Sequence, residues 1–246
     1  MKKLVENSEV KIVEKKDLGL KQPLVIAGFV GAGLVGSIAV DHIINQLKMD
    51  EVAWIKSKYL PPVAIFVEEK LRPPFRIYGS KKENLYAVIC EIPLREEGIY
   101  QISSAIMDWA EERGAKEIVI LEGIPVPGLP MERKPVCVTE RGKCEIFKDK
   151  GIDMFRRGII VGMAGALLGE SLTRKIGGTS ILTPAMATIP DPEGAATLIE
   201  ALNKSHGLNV DTSELIKGAN EIREKLKEVA ESYEKTAPVE PEKMYA

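Results

Sequence analysis

Residues 23–47, PLVIAGFVGAGLVGSIAVDHIINQL, decide the fold class. They begin with an apolar run from Pro23 to Phe29, whose length and composition are typical of a buried strand. A glycine-rich turn leads into Leu34–Leu47, where the pattern predicts a helix. Because a strand that turns directly into a helix is the first half of a βαβ unit, this stretch predicts a sheet with parallel strands and helices packed on it.

The rest of the chain repeats this alternation of short apolar runs and longer amphipathic stretches. The apolar runs are bounded by Gly and Pro, as strands commonly are. Further strands are predicted at Val52–Ile55, Leu85–Ile92, Ile118–Leu121 and Thr179–Leu182. Further helices are predicted at Ile99–Arg113, Ala164–Ile176, Pro192–Ser205 and Thr212–Tyr233. The sequence therefore predicts an α/β fold whose sheet is rich in parallel strands.

Charge and hydropathy argue against two classes of partner. The chain has 246 residues, with 34 basic and 36 acidic side chains interspersed along it, so we expect no nucleic-acid partner. The first residues are polar where a signal peptide would be apolar. The longest apolar stretch, Gly158–Gly169, is too short to span a bilayer and is interpreted as a buried passage from strand to helix. We therefore expect no membrane partner and a cytoplasmic location.

The turn at Gly31–Gly36 matches the GxGxxG pattern of dinucleotide-binding folds. In those folds an acidic residue at the end of the next strand holds the ribose. Here the next predicted strand ends in Lys56-Ser57-Lys58, and no acidic residue occupies that position. We therefore predict that the glycines allow close packing of a helix on the sheet, and we expect no cofactor.

Two carboxylates, Glu91 and Glu122, lie at the ends of predicted strands, where α/β folds place ligand sites. They could share acid and base roles only if they faced one cleft. Neither histidine is a candidate for catalysis, because His42 is interpreted as a surface or boundary residue and His206 as a cation near a helix end. No metal-ligand spacing or nucleophile motif is present in the sequence, so we expect no catalytic residues and no enzyme.

The predicted last helix carries a narrow apolar seam. Asp211 and Glu214 resemble a capping box at its start. Apolar residues then recur at spacings of four and three: Leu215, Ala219, Ile222, Leu226, Val229 and Tyr233. Such a seam fits a helix docked on its own domain and a helix that meets another subunit about equally well.

Beyond the last helix, prolines and charged residues preclude both helix and burial. We therefore predict a single α/β domain over residues 1–235, with its last helix at about 212–235, and a flexible tail over residues 236–246.

Three glycine-rich segments together resemble the proteasome assembly chaperone family, in particular its archaeal members. They are Gly28–Gly33 (GFVGAG), Gly162–Gly169 (GMAGALLG) and Ile189–Ala196 (IPDPEGAA), and the similarity covers roughly Pro23 to Ile222. The resemblance implies a three-layer α/β/α sandwich similar to that of nucleoside phosphorylases. Many members of the family have no known activity, so the fold alone does not supply a function.

The last three residues, Met244-Tyr245-Ala246, are similar to the hydrophobic-Tyr-any-residue motif with which proteasome activators dock between α-ring subunits. The resemblance implies that the carboxylate of Ala246 pairs with a pocket lysine, that Tyr245 packs and hydrogen-bonds, and that Met244 fills an apolar recess. Because one short anchor binds weakly, several tails on a homo-oligomer would gain avidity. We therefore expect an ATP-independent proteasome assembly chaperone or activator that binds the α subunits of the core particle.

Two other hypotheses stay open at this point. The first is a small-molecule enzyme of the nucleoside phosphorylase or hydrolase type that uses Glu91 and Glu122. The second is a scaffold whose last helix mediates self-association.

Overall fold

The computed structural model describes residues 9–67, 69–130, 132–140, 144–174 and 176–220. The strands are β1 Val10–Glu14, β2 Leu24–Gly28, β3 Asp50–Ser57, β4 Ile65–Val67, β5 Lys70–Arg72, β6 Phe75–Ser80, β7 Leu85–Cys90, β8 Glu117–Val126, β9 Val136–Thr139, β10 Asp153–Met154 and β11 Gly177–Met186. The helices are α1 Val35–Gln46, α2 Glu96–Glu112, α3 Cys144–Lys148, α4 Gly162–Ser171 and α5 Pro192–His206. Residues 213–220 are also helical. Over the described ranges, no helix combines the length and apolar character needed to cross a membrane.

Nine strands form one mixed sheet in the order β1-β3-β6-β7-β2-β8-β11-β9-β10. The four central strands, β7, β2, β8 and β11, run parallel to one another. Antiparallel pairs flank them, with β6 on β7 at one side and β9 on β11 at the other. β4 and β5 form a separate two-stranded hairpin. Among the parallel strands β2 comes first in the chain, and the chain adds β7 on one side of it and β8 on the other.

Helices cover both faces of this sheet. In β7, Leu85, Ala87 and Ile89 pack into a core that contains α1 and α5, whereas Tyr86 and Val88 pack into a core that contains α2 and α4. This alternation is the period of two that a strand imposes on its side chains. The two cores make a three-layer α/β/α sandwich, which confirms the predicted fold class.

The predicted strands and the first four predicted helices are present, and the differences lie at their ends; the last predicted helix is described only over residues 213–220. β8 continues to Val126 and β11 to Met186, beyond the predicted ends at Leu121 and Leu182. The two strands pair in parallel register over their whole length, from Gly177 opposite Glu117 to Met186 opposite Val126. Pairing between the two strands therefore outweighs the local turn signals of Gly123 and Pro125 in β8 and of Pro184 in β11. The helix predicted to end at Ile176 stops earlier, at the end of α4.

The glycine pattern brings α1 into backbone contact with the sheet, as predicted. A Cβ atom added at Gly36 would lie 2.2 Å from the Leu121 carbonyl oxygen, and one added at Gly28 would lie 2.1 Å from the Gly36 carbonyl oxygen. Both distances are far inside van der Waals contact, so a larger side chain requires a backbone shift. Gly33 has a φ of 61°, in the left-handed region that glycine tolerates best.

Two of the glycine-rich segments meet at the start of α5. The Asp191 amide donates to the Gly33 carbonyl at 2.8 Å, and the Asp191 carboxylate accepts from the Gly194 amide at 3.0 Å. Asp191 therefore caps α5, as predicted. Arg133 lies 2.8 Å from the same carboxylate, and both side chains are buried. This buried pair joins the segment before β9 to the start of α5.

The residues after α5 dock on their own domain. His42 is buried in α1, and its Nε2 atom lies 2.6 Å from the Asp211 carbonyl oxygen. The interpretation of His42 as a surface or boundary residue is therefore wrong, because this contact covers the ring. Leu215 packs against the α1–α5 core, and Ala219 is buried. The first two positions of the predicted seam thus face the domain, and the later seam positions, from residue 222 on, lie outside the described residues.

The contact at Gly36 yields a stability prediction. Replacing Gly36 with Ala should lower the free energy of unfolding by about 3 kcal/mol or more, because its Cβ would overlap the β8 backbone. The matched control is Gly169→Ala in α4, where an added Cβ meets nothing within 4 Å. That change should raise the unfolding free energy by about 0.5–1 kcal/mol through helix propensity. Urea denaturation followed by circular dichroism measures both, and equal effects of the two substitutions would contradict the close contact.

Candidate functional site

A cavity of about 570 Å³ opens beyond the carboxyl ends of β2 and β7 and against the last residues of β8. Most of its wall is apolar, and the side chains that shape it include Phe29, Ile92, Ile99, Phe155, Ile160 and Met163. They come from the turns after β2 and β7, from α2 and from the segment that leads into α4.

The position of the cavity follows from the sheet topology. The chain places β7 and β8 on opposite sides of β2, so the connections that leave the carboxyl ends of these strands diverge. In open α/β sheets a crevice forms at such a point, and ligands bind there. The cavity lies where the fold is expected to leave room for a ligand.

Glu122 is the one ionisable residue in the described lining of this cavity. Its Oε1 atom accepts a hydrogen bond from the Gly123 amide at 3.1 Å. Gly31 leaves space for the carboxyl group, because a Cβ atom added there would lie 2.2 Å from Oε1. The Glu122 carboxyl is thus packed between the glycine-rich turn and its own strand.

Burial raises the pKa of Glu122 to about 7, and the hydrogen bond from Gly123 offsets part of that effect. Burial acts in this direction because it penalises the charged form of a carboxyl group. Near neutral pH the group therefore exists in both protonation states and can either donate or accept a proton.

Glu91 lies in a different environment. Its carboxylate pairs with Arg76, which is fully buried, and lies 3.4 Å from the Arg72 guanidinium. Asp41 of α1 belongs to the same cluster, and its pKa is raised by burial and by the nearby charge of Glu91. Two arginines therefore compensate the acidic groups in this cluster.

The two candidate carboxylates face opposite sides of the sheet. Glu91 interacts with Asp41 on the α1 side, whereas Glu122 lines the cavity beside Met163 of α4. The condition for a shared acid and base mechanism, one common cleft, is therefore not met. Across the part of the chain that the structure describes, no group of three His, Cys, Asp or Glu side chains could hold a metal ion.

The segment from Phe155 to Met163 was not predicted to form part of a site. The apolar stretch Gly158–Gly169 was expected to be a buried passage from strand to helix, but Ile159 is 87% exposed and Val161 is 76% exposed. The residues before α4 have no regular secondary structure, and they cover one side of the cavity. The apolar composition of this segment was the available signal in the sequence, and composition alone does not give the position of a segment without periodicity.

His206 is not among the described lining residues of this cavity. His206 ends α5, where it was predicted, and its Nε2 atom lies 3.5 Å from a Glu117 carboxylate oxygen. Met244, Tyr245 and Ala246 lie outside the described residues, as does the predicted tail over residues 236–246.

Comparison with known proteins places the chain among relatives of similar length. A protein of unknown function from Thermoplasma acidophilum is 40% identical, with a TM-score of 0.77 over 88% of this chain and 89% of that one. PbaA of Pyrococcus furiosus, an archaeal homologue of proteasome-assembly chaperone, is 28% identical. Its TM-score is 0.83, over 92% of this chain and 93% of that one. PbaB of the same organism, an archaeal proteasome activator, is 26% identical. Its TM-score is 0.81, over 91% of this chain and 100% of that one.

A family model, described as the PAC2 family, matches residues 25–230. That range contains all three glycine-rich segments on which the predicted resemblance was based, and the resemblance is confirmed. Since the match spans well over half of the sequence, the chain belongs to the PAC2 family.

Proposed function

We propose that this protein is an ATP-independent assembly chaperone or activator of the proteasome, and that it binds the α ring of the core particle through Met244, Tyr245 and Ala246. The observation that carries the proposal is the match of 92% and 91% of the chain to PbaA and PbaB. The first is an archaeal homologue of proteasome-assembly chaperone and the second is an archaeal proteasome activator. Interaction with the proteasome is the role that these two descriptions share.

The case for the docking residues is chemical. A terminal carboxylate on Ala246 makes a charge-assisted hydrogen bond with a lysine more readily than a neutral group does. Tyr245 supplies a large apolar ring together with a hydroxyl that can hydrogen-bond at the pocket rim. Met244 is flexible and adapts to an irregular apolar recess. Each residue therefore suits a different part of one small pocket.

The preceding segment suits the presentation of these residues at a distance. Residues 236–243 contain two prolines and several charged side chains, a composition that predicts an extended chain. At about 3.3 Å per residue, such a segment spans roughly 25 Å. A docking motif on a spacer of that length can reach a pocket while the α/β domain remains outside it.

Self-association would strengthen the interaction. One three-residue anchor binds weakly, whereas several tethered anchors near a ring of repeated pockets raise the effective concentration of each one. The domain carries exposed apolar side chains that offer area for contact between subunits: Phe66 and Leu71 of the β4–β5 hairpin, and Ile159 and Val161 beside the cavity. We therefore propose a homo-oligomer that presents several tails.

Deletion of Met244–Ala246 tests the tail. The full chain should bind an immobilised proteasome core particle in surface plasmon resonance, and the deletion should weaken binding at least about tenfold, because it removes all three proposed contacts. Tyr245→Phe should have a smaller effect, since it removes the hydroxyl and keeps the ring.

The matched control for this measurement adds one glycine after Ala246. It keeps all three side chains and displaces the carboxylate, so it should weaken binding nearly as much as the deletion. Equal binding by the full chain and the deletion would refute the tail proposal. Assembly of α subunits and peptide hydrolysis by the mature core particle, measured separately, then distinguish a chaperone from an activator.

Self-association is tested at the predicted seam. The double substitution Ile222→Asp and Leu226→Asp should convert the oligomer to a smaller species in sedimentation velocity, because burying two carboxylates between helices is unfavourable. Lys227→Asp changes the net charge by the same amount away from the seam and should leave the oligomer intact. A wild-type monomer at micromolar concentration would exclude the homo-oligomer.

A further inference from the structure

The described lining of the cavity combines an apolar wall with a single carboxyl group and supplies no counter-charge to it. No lysine, arginine or histidine occurs among its described lining residues, and Glu122 is hydrogen-bonded there to the amide of the following residue. Glu91, on the other face of the sheet, shows the contrast, because two arginines neutralise it. A carboxylate removed from water is stabilised by a nearby cation, and the described wall of the cavity supplies none.

The aromatic residues of the wall favour the same kind of ligand. Phe29 and Phe155 both line the cavity, Phe29 in the turn after β2 and Phe155 in the segment before α4. The face of an aromatic ring attracts a cation within about 6 Å of its centroid, and this attraction grows when water is excluded. A cavity lined by one carboxyl group and two phenyl rings is suited to an organic cation.

We propose that this cavity binds a small organic cation, a primary amine carried on an apolar body, with the ammonium group on Glu122 and the body among Phe29, Ile92, Phe155, Ile160 and Met163.

The size and composition of the cavity match such a ligand. Its volume of about 570 Å³ lies within the range of roughly 300–1,000 Å³ that small-molecule sites occupy. An apolar wall with one precisely placed polar group orients a ligand at one end and excludes water along the rest of it. An amine of one ring and a short alkyl chain satisfies both requirements.

The environment of Glu122 predicts the pH dependence of binding. The elements around it, namely the β2–α1 turn, the end of β7, α2 and the segment before α4, contribute no ionisable side chain to the described lining. The charged residues close to the lining positions in these elements do not face the cavity: Arg95, Glu96, Glu97, Arg156 and Arg157 are exposed, and Glu91 pairs with Arg76 and Arg72 on the other face of the sheet. Since burial raises the pKa of Glu122 to about 7, the carboxylate predominates at pH 8 and the neutral acid at pH 6.

This inference goes beyond the proposed function, because it concerns a ligand of the α/β domain and does not depend on the tail. Binding of an amine by the protein that lacks Met244–Ala246 should equal that of the full chain. Failure of one proposal is therefore distinguishable from failure of the other.

Isothermal titration calorimetry of the full chain with 4-phenylbutylamine tests the site, with 4-phenylbutan-1-ol as the uncharged control. At pH 8 the amine should bind at least about tenfold more tightly than the alcohol, because only the amine can pair with the carboxylate. Lowering the pH to 6 should weaken amine binding about tenfold, since the ionised fraction of a group with a pKa of about 7 falls by that factor. The alcohol should show no such change.

Two variants test whether Glu122 is responsible for the preference for the amine and for its pH dependence. Glu122→Gln should bind the amine and the alcohol equally at both pH values, and Glu96→Gln, which removes an exposed carboxylate at the start of α2, should behave as the wild type. If Glu122→Gln fails to fold, ¹³C NMR of the wild-type carboxyl group replaces it. Saturating amine should then lower the pKa of Glu122, because a bound cation favours the carboxylate.

The proposal is overturned if neither probe binds, or if the two bind equally to the wild type at pH 8. It is also overturned if Glu122→Gln keeps the preference for the amine, or if saturating amine leaves the pKa of Glu122 unchanged. Tighter binding of the alcohol would assign the cavity to neutral ligands that hydrogen-bond to the protonated acid.

Discussion

The contact between the backbone of α1 and the backbone of β8 is the constraint on which the rest of the structure depends. An added Cβ atom at Gly36 would lie 2.2 Å from the Leu121 carbonyl oxygen, so α1 crosses the centre of the sheet without an intervening side chain. This approach holds the turn after β2 against the end of β8, where Gly31 meets the Glu122 carboxyl. It also sets Gly33 against the start of α5, through the hydrogen bond from the Asp191 amide. The glycine-rich turn is therefore a structural junction with a cavity on its other side.

The register of the strands explains why Glu91 and Glu122 face opposite sides of the sheet. Gly28 of β2 pairs with Ile89 of β7 and with Leu121 of β8, so these two residues lie at the same level of the sheet. Glu91 comes two positions after Ile89, and Glu122 comes one position after Leu121. Because successive side chains of a strand point to opposite faces of the sheet, this difference of one position puts the two carboxylates on opposite faces. The spacing of each carboxylate from its own strand was visible in the sequence. The level at which the strands pair was not, because it depends on contacts between distant segments.

The same distinction between local and distant information separates the successful predictions from the failures. The alternation of strands and helices, the cap at Asp191 and the role of the glycines follow from local patterns, and the structure agrees with them. The ends of β8 and β11 were misplaced because pairing between the strands overrides local turn signals. His42 was misjudged because its partner, the Asp211 carbonyl, lies 169 positions away in the chain. The cavity wall before α4 was missed for a similar reason, since an irregular segment has no periodicity from which its position can be predicted.

The energetics of Glu122 give a reason to regard the cavity as a functional site and not as a packing defect. A raised folded-state pKa means that the folded protein holds a proton more tightly than the unfolded chain does, so stability falls as the pH rises from about 4.5 to about 7. An apolar side chain at this position would avoid that cost and would fill part of the cavity. Glu91 lies in a comparable position at a strand end, and two arginines compensate its charge. This fold compensates one such carboxylate and leaves the other without a counter-charge in its described surroundings, where it lowers stability near neutral pH. Groups of that kind concentrate at sites where a ligand supplies the missing interaction.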